Sequence, residues 1–171
     1  MVIGIGGISN AGKSHLALQI KNYYSSKKVI ILCQDDYVFS KDKIPVIRDH
    51  IDWECPESID FNKYENAILE HIKHWEIVII EGIFAFYKES TNKLIDKKIF
   101  LTLDPRFFFM RKNSDLRWGK EPDWYIDHIW NSHIKHCKEN NHDDALVIKA
   151  DKDIDLKEVI SFIQPNMLNN S

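Results

Sequence analysis

Cysteine and long apolar runs are scarce in this sequence, and each scarcity excludes a class of protein. The three cysteines, Cys33, Cys55 and Cys137, lie far apart and form no CxxC pair, so neither a disulfide framework nor a zinc site is indicated. The longest apolar stretch, residues 77–87, contains Glu81 and is too short to cross a bilayer. No signal segment is recognisable, and we expect a cytoplasmic protein.

A strong excess of charge is also missing. The 171 residues carry 23 Lys and Arg against 26 Asp and Glu, which gives a net charge of −3 at pH 7. This balance indicates neither a nucleic-acid-binding surface nor a membrane-binding one. We therefore expect small molecules as partners, and the protein itself as a monomer or a weak homodimer.

Short apolar runs alternate with helical patterns along the chain. Five runs are typical of buried strands: residues 2–6, 28–33, 76–80, 98–103 and 145–150. Helical patterns cover residues 13–25, 61–75, a segment from Pro105, residues 124–138 and 155–163. Apolar strands separated by helices predict an α/β fold of three layers, with a five-stranded parallel sheet between helices. We expect residues 1–171 to form one domain with a flexible tail at 168–171.

Four of only six glycines lie within the first twelve residues, in and before the stretch GGISNAGKSH. The segment from Gly7 to Ser14 has the spacing of a phosphate-binding loop and lies between a predicted strand and a predicted helix. Backbone N–H groups of such a loop and the positive end of its helix bind phosphate oxygens. Lys13 is expected to reach the outer phosphates and Ser14 to ligate Mg²⁺. No DxxG motif occurs, which argues against a GTPase switch.

Acidic residues follow two of the predicted strands. The run Gln34-Asp35-Asp36-Tyr37 follows the second strand, and Glu81-Gly82 follows the third. Ligands of a parallel α/β sheet bind at the carboxyl ends of its strands, so these acids are expected beside the phosphate-binding loop. One carboxylate can take the proton of an attacking hydroxyl, and another can hold Mg²⁺.

The order of the motifs resembles the nicotinamide riboside kinases, within the wider uridine kinase-like group. Besides the phosphate-binding loop, the resemblance rests on QDD at 34–36, DWECPESID at 52–60, IIEG at 79–82, FLTL at 100–103 and PDWYIDHIW at 122–130. It implies a P-loop kinase fold with a mobile lid at about residues 111–122. It also implies transfer of the γ-phosphoryl group of ATP to the 5′-hydroxyl of nicotinamide riboside, or of nicotinic acid riboside, for NAD synthesis.

The resemblance implies roles for individual residues. Asp35 would be the general base and Lys13 a second catalytic group, while Ser14, Asp35 and Glu81 would hold Mg²⁺. Trp53 would stack on the base and Glu54 would bind the ribose hydroxyls, with Asp52 as the alternative acid if the alignment slips. The remaining riboside contacts implied are Asp36, Tyr37, Asn113, Arg117 and Trp118. Two residues depart from the family: Glu54 replaces its usual Asp, and Asn113 replaces a usual Arg of the lid.

The ATP site implied by the resemblance has three parts. The first is the phosphate-binding loop with the start of its helix, namely Gly7, Ile8, Ser9, Asn10, Ala11, Gly12, Lys13, Ser14 and His15. The second consists of the lid cations Arg111, Lys112 and Arg117. The third is the loop after the last strand, where Asp151 and Asp153 would lie near adenine.

Three other interpretations stay open from the sequence. A uridine or cytidine kinase would use the same motifs with another base. A kinase for a different alcohol would share the donor half alone, although two tryptophans and neighbouring acids favour a flat base on a diol. A nucleotide-dependent switch would bind ATP without transferring phosphate. The pairs His71/His74 and His133/His136 are interpreted as solvated helix faces, because no third metal ligand accompanies either pair.

Overall fold

The computed structural model describes residues 1–117, 119–137 and 144–165. Its main sheet consists of five strands: β1 (Val2–Gly7), β2 (Val29–Cys33), β5 (Ile77–Glu81), β6 (Lys97–Thr102) and β7 (Ala145–Lys149). All pairs in this sheet are parallel, in the order β2-β5-β1-β6-β7. The predicted five-stranded parallel sheet is confirmed, with strand ends within one residue of their predicted positions.

A hairpin and six helices complete the described chain. The hairpin pairs β3 (Val46–Ile47) with β4 (His50–Ile51), which the sequence did not predict. The helices are α1 (Lys13–Tyr23), α2 (Phe61–Ile72), α3 (Glu89–Asn92), α4 (Pro105–Ser114), α5 (Asp123–Cys137) and α6 (Leu156–Ile163). The short helix α3 was not predicted either, and among the predicted helices the largest difference is the end of α2, which stops at Ile72 rather than Trp75. The Trp75 N–H donates a hydrogen bond to the His71 carbonyl, and Trp75 lies in the turn that leads into β5.

Both faces of the sheet are covered by helices. Ile3 and Ile5 of β1 pack in a core with residues of α1, α4, α5 and α6. Val2, on the opposite face of the same strand, packs in a second core with Tyr64 and Ile68 of α2. Because successive strand residues point to opposite faces, the apolar runs bury both sides and produce the predicted three layers.

The topology brings the ends of several strands to one edge of the sheet. β1 lies between β5 and β6, so the phosphate-binding loop after β1 is flanked by the segments that follow both strands. No helix within the described ranges is long and apolar enough to cross a membrane. The predicted tail at 168–171 lies outside the described residues, and the single-domain assignment stays a prediction.

Candidate active site

The phosphate-binding loop turns sharply between β1 and α1. Gly7 has a φ of 138°, Asn10 of 60° and Gly12 of 93°, so three of its eight residues occupy the left-handed half of backbone space. A Cβ atom at Gly7 would lie 2.3 Å from the carbonyl oxygen of Leu101 on β6, so only glycine fits there. Ile8 and Ala11 are buried and anchor the loop to the core. Glycine conformation and packing against β6 and the core therefore fix the shape of the loop.

Lys13 lies at the start of α1 and folds back over the loop. Its ammonium group donates a hydrogen bond of 3.0 Å to the Ile8 carbonyl, and the side chain is 9% exposed. Burial lowers the pKa of Lys13, while the negative charges of Glu81, Asp35 and Glu54 oppose that shift. The three acids predicted for catalysis, metal binding and ribose binding thus act on the same ammonium group.

Ser14 and Glu81 meet directly at the carboxyl edge of the sheet. The Ser14 hydroxyl donates a hydrogen bond of 2.7 Å to Glu81 Oε1. Glu81 is the last residue of β5, and it is only 3% exposed. A buried carboxylate beside a hydroxyl on the phosphate-binding loop has the oxygen chemistry that Mg²⁺ prefers.

Asp35 lies in a short 3₁₀ turn, Gln34–Tyr37, directly after β2. Its side chain is exposed at the mouth of the cleft, yet the surrounding protein desolvates it enough to raise its pKa. Glu81 and Asp36 raise this pKa further, and Lys13 and Arg117 lower it. Asp35 therefore lies within electrostatic range of the loop lysine, the Glu81 carboxylate and a lid arginine.

The turn that carries Asp35 is fixed from below by Gln34. Gln34 is fully buried, and its side-chain oxygen accepts a hydrogen bond of 2.9 Å from the Phe84 N–H. A Cβ atom at Gly82 would lie 2.4 Å from this side chain, so glycine leaves the space that Gln34 fills. The QDD and EG motifs thus support each other: the first supplies the buried amide and the second makes room for it.

The predicted acceptor-binding groups lie at the end of the hairpin and in the residues that follow it. We call residues 51–54, from the last residue of β4 onward, the acceptor loop. Glu54 is half-buried, and desolvation raises its pKa to about 7 even though Lys112 and Lys13 oppose this shift. Asp52 is buried, and its Oδ1 accepts hydrogen bonds from the Glu54 N–H at 3.1 Å and from His128 at 2.8 Å. Trp53 between them is half-buried.

Lid cations and two cavities complete the cleft. The Arg111 guanidinium donates to the carbonyls of Asn10 at 3.3 Å and Ala150 at 2.7 Å, which ties α4 to the phosphate-binding loop. Arg117 pairs with Asp115 through two side-chain bonds of 2.8 and 2.6 Å, and Asn10 donates to the same carboxylate at 3.1 Å. An open cavity of about 510 Å³ is lined by Asn10, Gly12, Lys13, Ser14, His15, Arg111, Ser114, Asp115 and Arg117.

A second cavity is small, about 10 Å³, and lies behind the phosphate-binding loop. Its lining combines Ile8 and Ser9 with Glu54 and residues of α5 and the segment after β5: Ile83, Phe84, Ser132, His133 and Cys137. This cavity is too small for a riboside, but its lining places Glu54 beside the phosphate-binding loop. The donor and acceptor groups predicted from separate motifs are therefore neighbours.

Several predicted site residues contact other protein groups in the structure, and their roles in binding stay predictions. Asn113 is exposed, and its amide donates 2.8 Å to the Phe109 carbonyl of its own helix. Asp151 accepts from the Asp104 N–H at 2.8 Å and pairs with Lys149 at 3.0 Å, whereas Asp153 is exposed. Lys112 is buried, and its positive charge opposes the desolvation that raises the pKa of Glu54.

The remaining predicted residues differ in exposure and in their contacts. Asp36 is exposed, whereas the ring of Tyr37 packs 5.1 Å from that of Tyr64. The Ser9 hydroxyl donates to Asn10 Oδ1 at 3.1 Å, and His15 is exposed at the cavity. Trp118, the predicted second stacking residue, lies outside the described residues.

Similar sequences are kinases of two acceptor classes. The chain is 26% identical to nicotinamide riboside kinase 1 of Rattus norvegicus over 157 residues, which covers 82% of this chain and 80% of the relative. It is 25% identical to a uridine kinase of Lactobacillus helveticus over 160 residues, covering 78% and 75% of the two chains. This chain is therefore similar in sequence both to nicotinamide riboside kinases and to uridine kinases. The predicted resemblance and the predicted enzyme class, a phosphotransferase with a hydroxyl acceptor, are confirmed.

The fold is shared with more distant kinases. A shikimate kinase of Bacteroides thetaiotaomicron superimposes with a TM-score of 0.62 at 20% identity, covering 96% of this chain and 95% of that one. At this identity the likeness shows the fold alone, and it confirms the predicted P-loop kinase architecture. No protein-family model matches the chain.

The sequence did not predict that α5 contacts the acceptor loop. Tyr125, His128 and Ser132 each contact the acceptor loop, although more than 70 residues separate them from it along the chain. Their spacing of three and four residues is visible in the sequence and places them on one helix face. Nothing local to that stretch indicates which loop the face would contact.

Proposed function

We propose that the protein transfers the γ-phosphoryl group of ATP to the 5′-hydroxyl of nicotinamide riboside, and of nicotinic acid riboside. The observation that carries this proposal is the common cleft of Lys13, Asp35 and Glu54. Each of the two acids shifts the pKa of Lys13, and Lys13 and Asp35 both shift that of Glu54. A phosphate-binding cation, a candidate base and a candidate ribose-binding acid therefore lie within electrostatic range of one another.

The donor half of the reaction uses the phosphate-binding loop. ATP phosphates would occupy the open cavity, where the loop N–H groups and Lys13 face them. Ser14 and Glu81 would hold Mg²⁺ with Asp35 nearby, an arrangement that fits an ion usually bound by one or two carboxylates together with substrate phosphates. When bound, the ion would neutralise charge on the transferring phosphoryl group.

Asp35 would act as the general base in the transfer step. Desolvation raises the pKa of Asp35, so its carboxylate accepts a proton more readily than that of an ordinary aspartate. The 5′-oxygen forms its bond to the γ-phosphorus as the bond to the β–γ bridging oxygen breaks, and Asp35 retains the hydroxyl proton. Lys13 and Arg117 would stabilise the negative charge on the transferring group.

The acceptor half would use the acceptor loop. Glu54 can accept hydrogen bonds from both hydroxyls of a ribose, and Trp53 offers a face for a flat base. A pyridinium base carries a positive charge, which the aromatic face and the neighbouring carboxylates would stabilise. Asp52 is already engaged by His128 and the Glu54 N–H, which favours Glu54 over Asp52 as the ribose-binding acid.

Uridine is the second candidate acceptor, because the uridine kinase of Lactobacillus helveticus is about as similar to this chain as the riboside kinase of Rattus norvegicus. Release of ADP is measured with nicotinamide riboside, nicotinic acid riboside, uridine and cytidine at saturating ATP and Mg²⁺. We expect the highest kcat/KM with the nicotinamide and nicotinic acid ribosides. Equal or higher values with uridine or cytidine would assign the pyrimidine activity instead.

Asp35→Asn tests the proposed base in the same assay. We expect transfer to fall by about a thousandfold or more while ATP affinity changes little, because proton abstraction is lost and the phosphate cavity is kept. Asp42→Asn is the matched control, since Asp42 is an exposed acid in the following turn and lines neither cavity. Turnover by Asp35→Asn at the rate of the control would remove Asp35 as the base.

A further inference from the structure

One face of α5 contacts the acceptor loop at successive positions, through backbone groups and the Asp52 side chain. The Tyr125 hydroxyl donates to the Ile51 carbonyl at 3.1 Å and accepts from the Trp53 N–H at 3.4 Å. His128 donates from Nε2 to Asp52 Oδ1 at 2.8 Å, and the Ser132 hydroxyl donates to the Glu54 carbonyl. Helix and loop are therefore joined by four polar contacts along about two helical turns.

His128 occupies the centre of this set, and its bond extends to Glu54. The same Asp52 oxygen that accepts from His128 also accepts from the Glu54 N–H at 3.1 Å. The side chains of Asp52 and His128 are only 12% and 21% exposed, so water replaces these bonds poorly. Without the His128 bond, a mostly buried carboxylate would keep the Glu54 N–H as its donor, and its hold on the acceptor loop would weaken even though the Tyr125 and Ser132 contacts remain.

We infer that His128 is a positioning residue for acceptor binding, which acts through Asp52 on the placement of Trp53 and Glu54. The inference rests on the proposed function, because it takes these two residues as the riboside contacts. His128 itself touches neither reacting group. Its role is to hold a carboxylate that in turn holds the acceptor loop.

The inference predicts an effect on one substrate only. The described residues that line the ATP cavity come from the phosphate-binding loop, α1, α4 and the segment after α4, and α5 contributes none of them. Loss of the His128 bond should therefore weaken riboside binding and leave ATP binding unchanged. A general loss of folding would instead affect both substrates.

His128→Gln and His128→Asn form a matched pair of variants. Both side chains are neutral amides, but only the longer glutamine places an N–H donor near the position of histidine Nε2. We expect the riboside KM to rise roughly tenfold in His128→Asn, as for a lost hydrogen bond to a charged group, and to stay within about threefold of wild type in His128→Gln. The ATP KM should be unchanged in both variants. Asn131→Ala, on an exposed position of α5, controls for changes to the helix.

Three measurements separate the outcomes. Steady-state kinetics give both KM values, calorimetric titration gives riboside affinity without turnover, and thermal unfolding reports folding. Equal riboside affinity in the Asn and Gln variants, or a parallel rise in ATP KM, would overturn the inference. Failure of the wild-type protein to phosphorylate any riboside would instead overturn the proposed function, so the two failures are distinguishable.

Discussion

Three side chains of the cleft have pKa values displaced toward neutrality. Burial lowers the pKa of Lys13, and desolvation raises those of Asp35 and Glu54, the last to about 7. Desolvation disfavours the charged form in each case, and the opposite charges in the cleft oppose it only in part. A carboxylate whose pKa is raised is a stronger base, which suits a site that must remove a hydroxyl proton.

Glu54 predicts a pH dependence of riboside binding. Below pH 7 the acid is increasingly protonated and accepts the ribose hydroxyls less strongly, so the riboside KM should fall several-fold from pH 6 to pH 8. Glu54→Gln, which cannot ionise, should have a higher KM that changes little across this range. Initial rates at saturating ATP measure both profiles. Parallel profiles in the two proteins would contradict the assignment of Glu54 to the ribose hydroxyls.

At the scale of elements, the strands could be predicted and the hairpin could not. β1 and β5 are continuous apolar runs buried on both faces, so composition alone marks them. Each strand of the hairpin has only two residues, and its turn includes Arg48 at a φ of 53°. The Arg48 guanidinium lies 4.4 Å from the centre of the Trp124 ring on α5, so the turn depends on a contact distant in sequence.

The candidate site shows the same division. The phosphate-binding loop and the acids after β2 and β5 follow from local motifs and from the position of strand ends, so they could be predicted. The choice between Asp52 and Glu54 depends on His128, which is 76 residues from Asp52 in sequence. Hydrogen bonds over such a separation depend on packing, which a single sequence does not display.

The junction of β1 with the phosphate-binding loop predicts different effects for two glycine substitutions. Gly7→Ala places a methyl group against the Leu101 carbonyl at a φ of 138°, so we expect a loss of at least about 3 kcal/mol in the free energy of unfolding. The methyl group of Gly12→Ala would lie in open space, and the only cost is the backbone φ of 93°. We therefore expect a loss of about 1 to 2 kcal/mol in the free energy of unfolding. Urea unfolding measures both values. Equal losses would show that the contact with β6 yields without cost.

At the scale of the whole molecule, the cleft concentrates charged groups where burial is unfavourable. The net charge of the protein is only −3, but charges of both signs lie close together in the cleft, where Lys13 and Lys112 are buried near Glu54. Apolar strands and helices stabilise the frame, and the cleft at the carboxyl edge of the sheet reduces that stability. A binding site that must desolvate its substrate has this cost, because its own polar groups are desolvated before the substrate arrives.

Glu54 makes this cost measurable as a function of pH. Its pKa is about 7 in the folded protein and 4.5 in the unfolded chain, so between these values the folded state binds more protons and stability decreases as pH rises. Glu54→Gln stays neutral and escapes this loss. In the absence of ligands, the free energy of unfolding of the variant relative to wild type should increase by on the order of 1 to 3 kcal/mol from pH 5 to pH 8. Urea unfolding at both pH values gives the difference, and a gain that does not grow with pH would show that Glu54 is ionised in the folded protein without loss of stability.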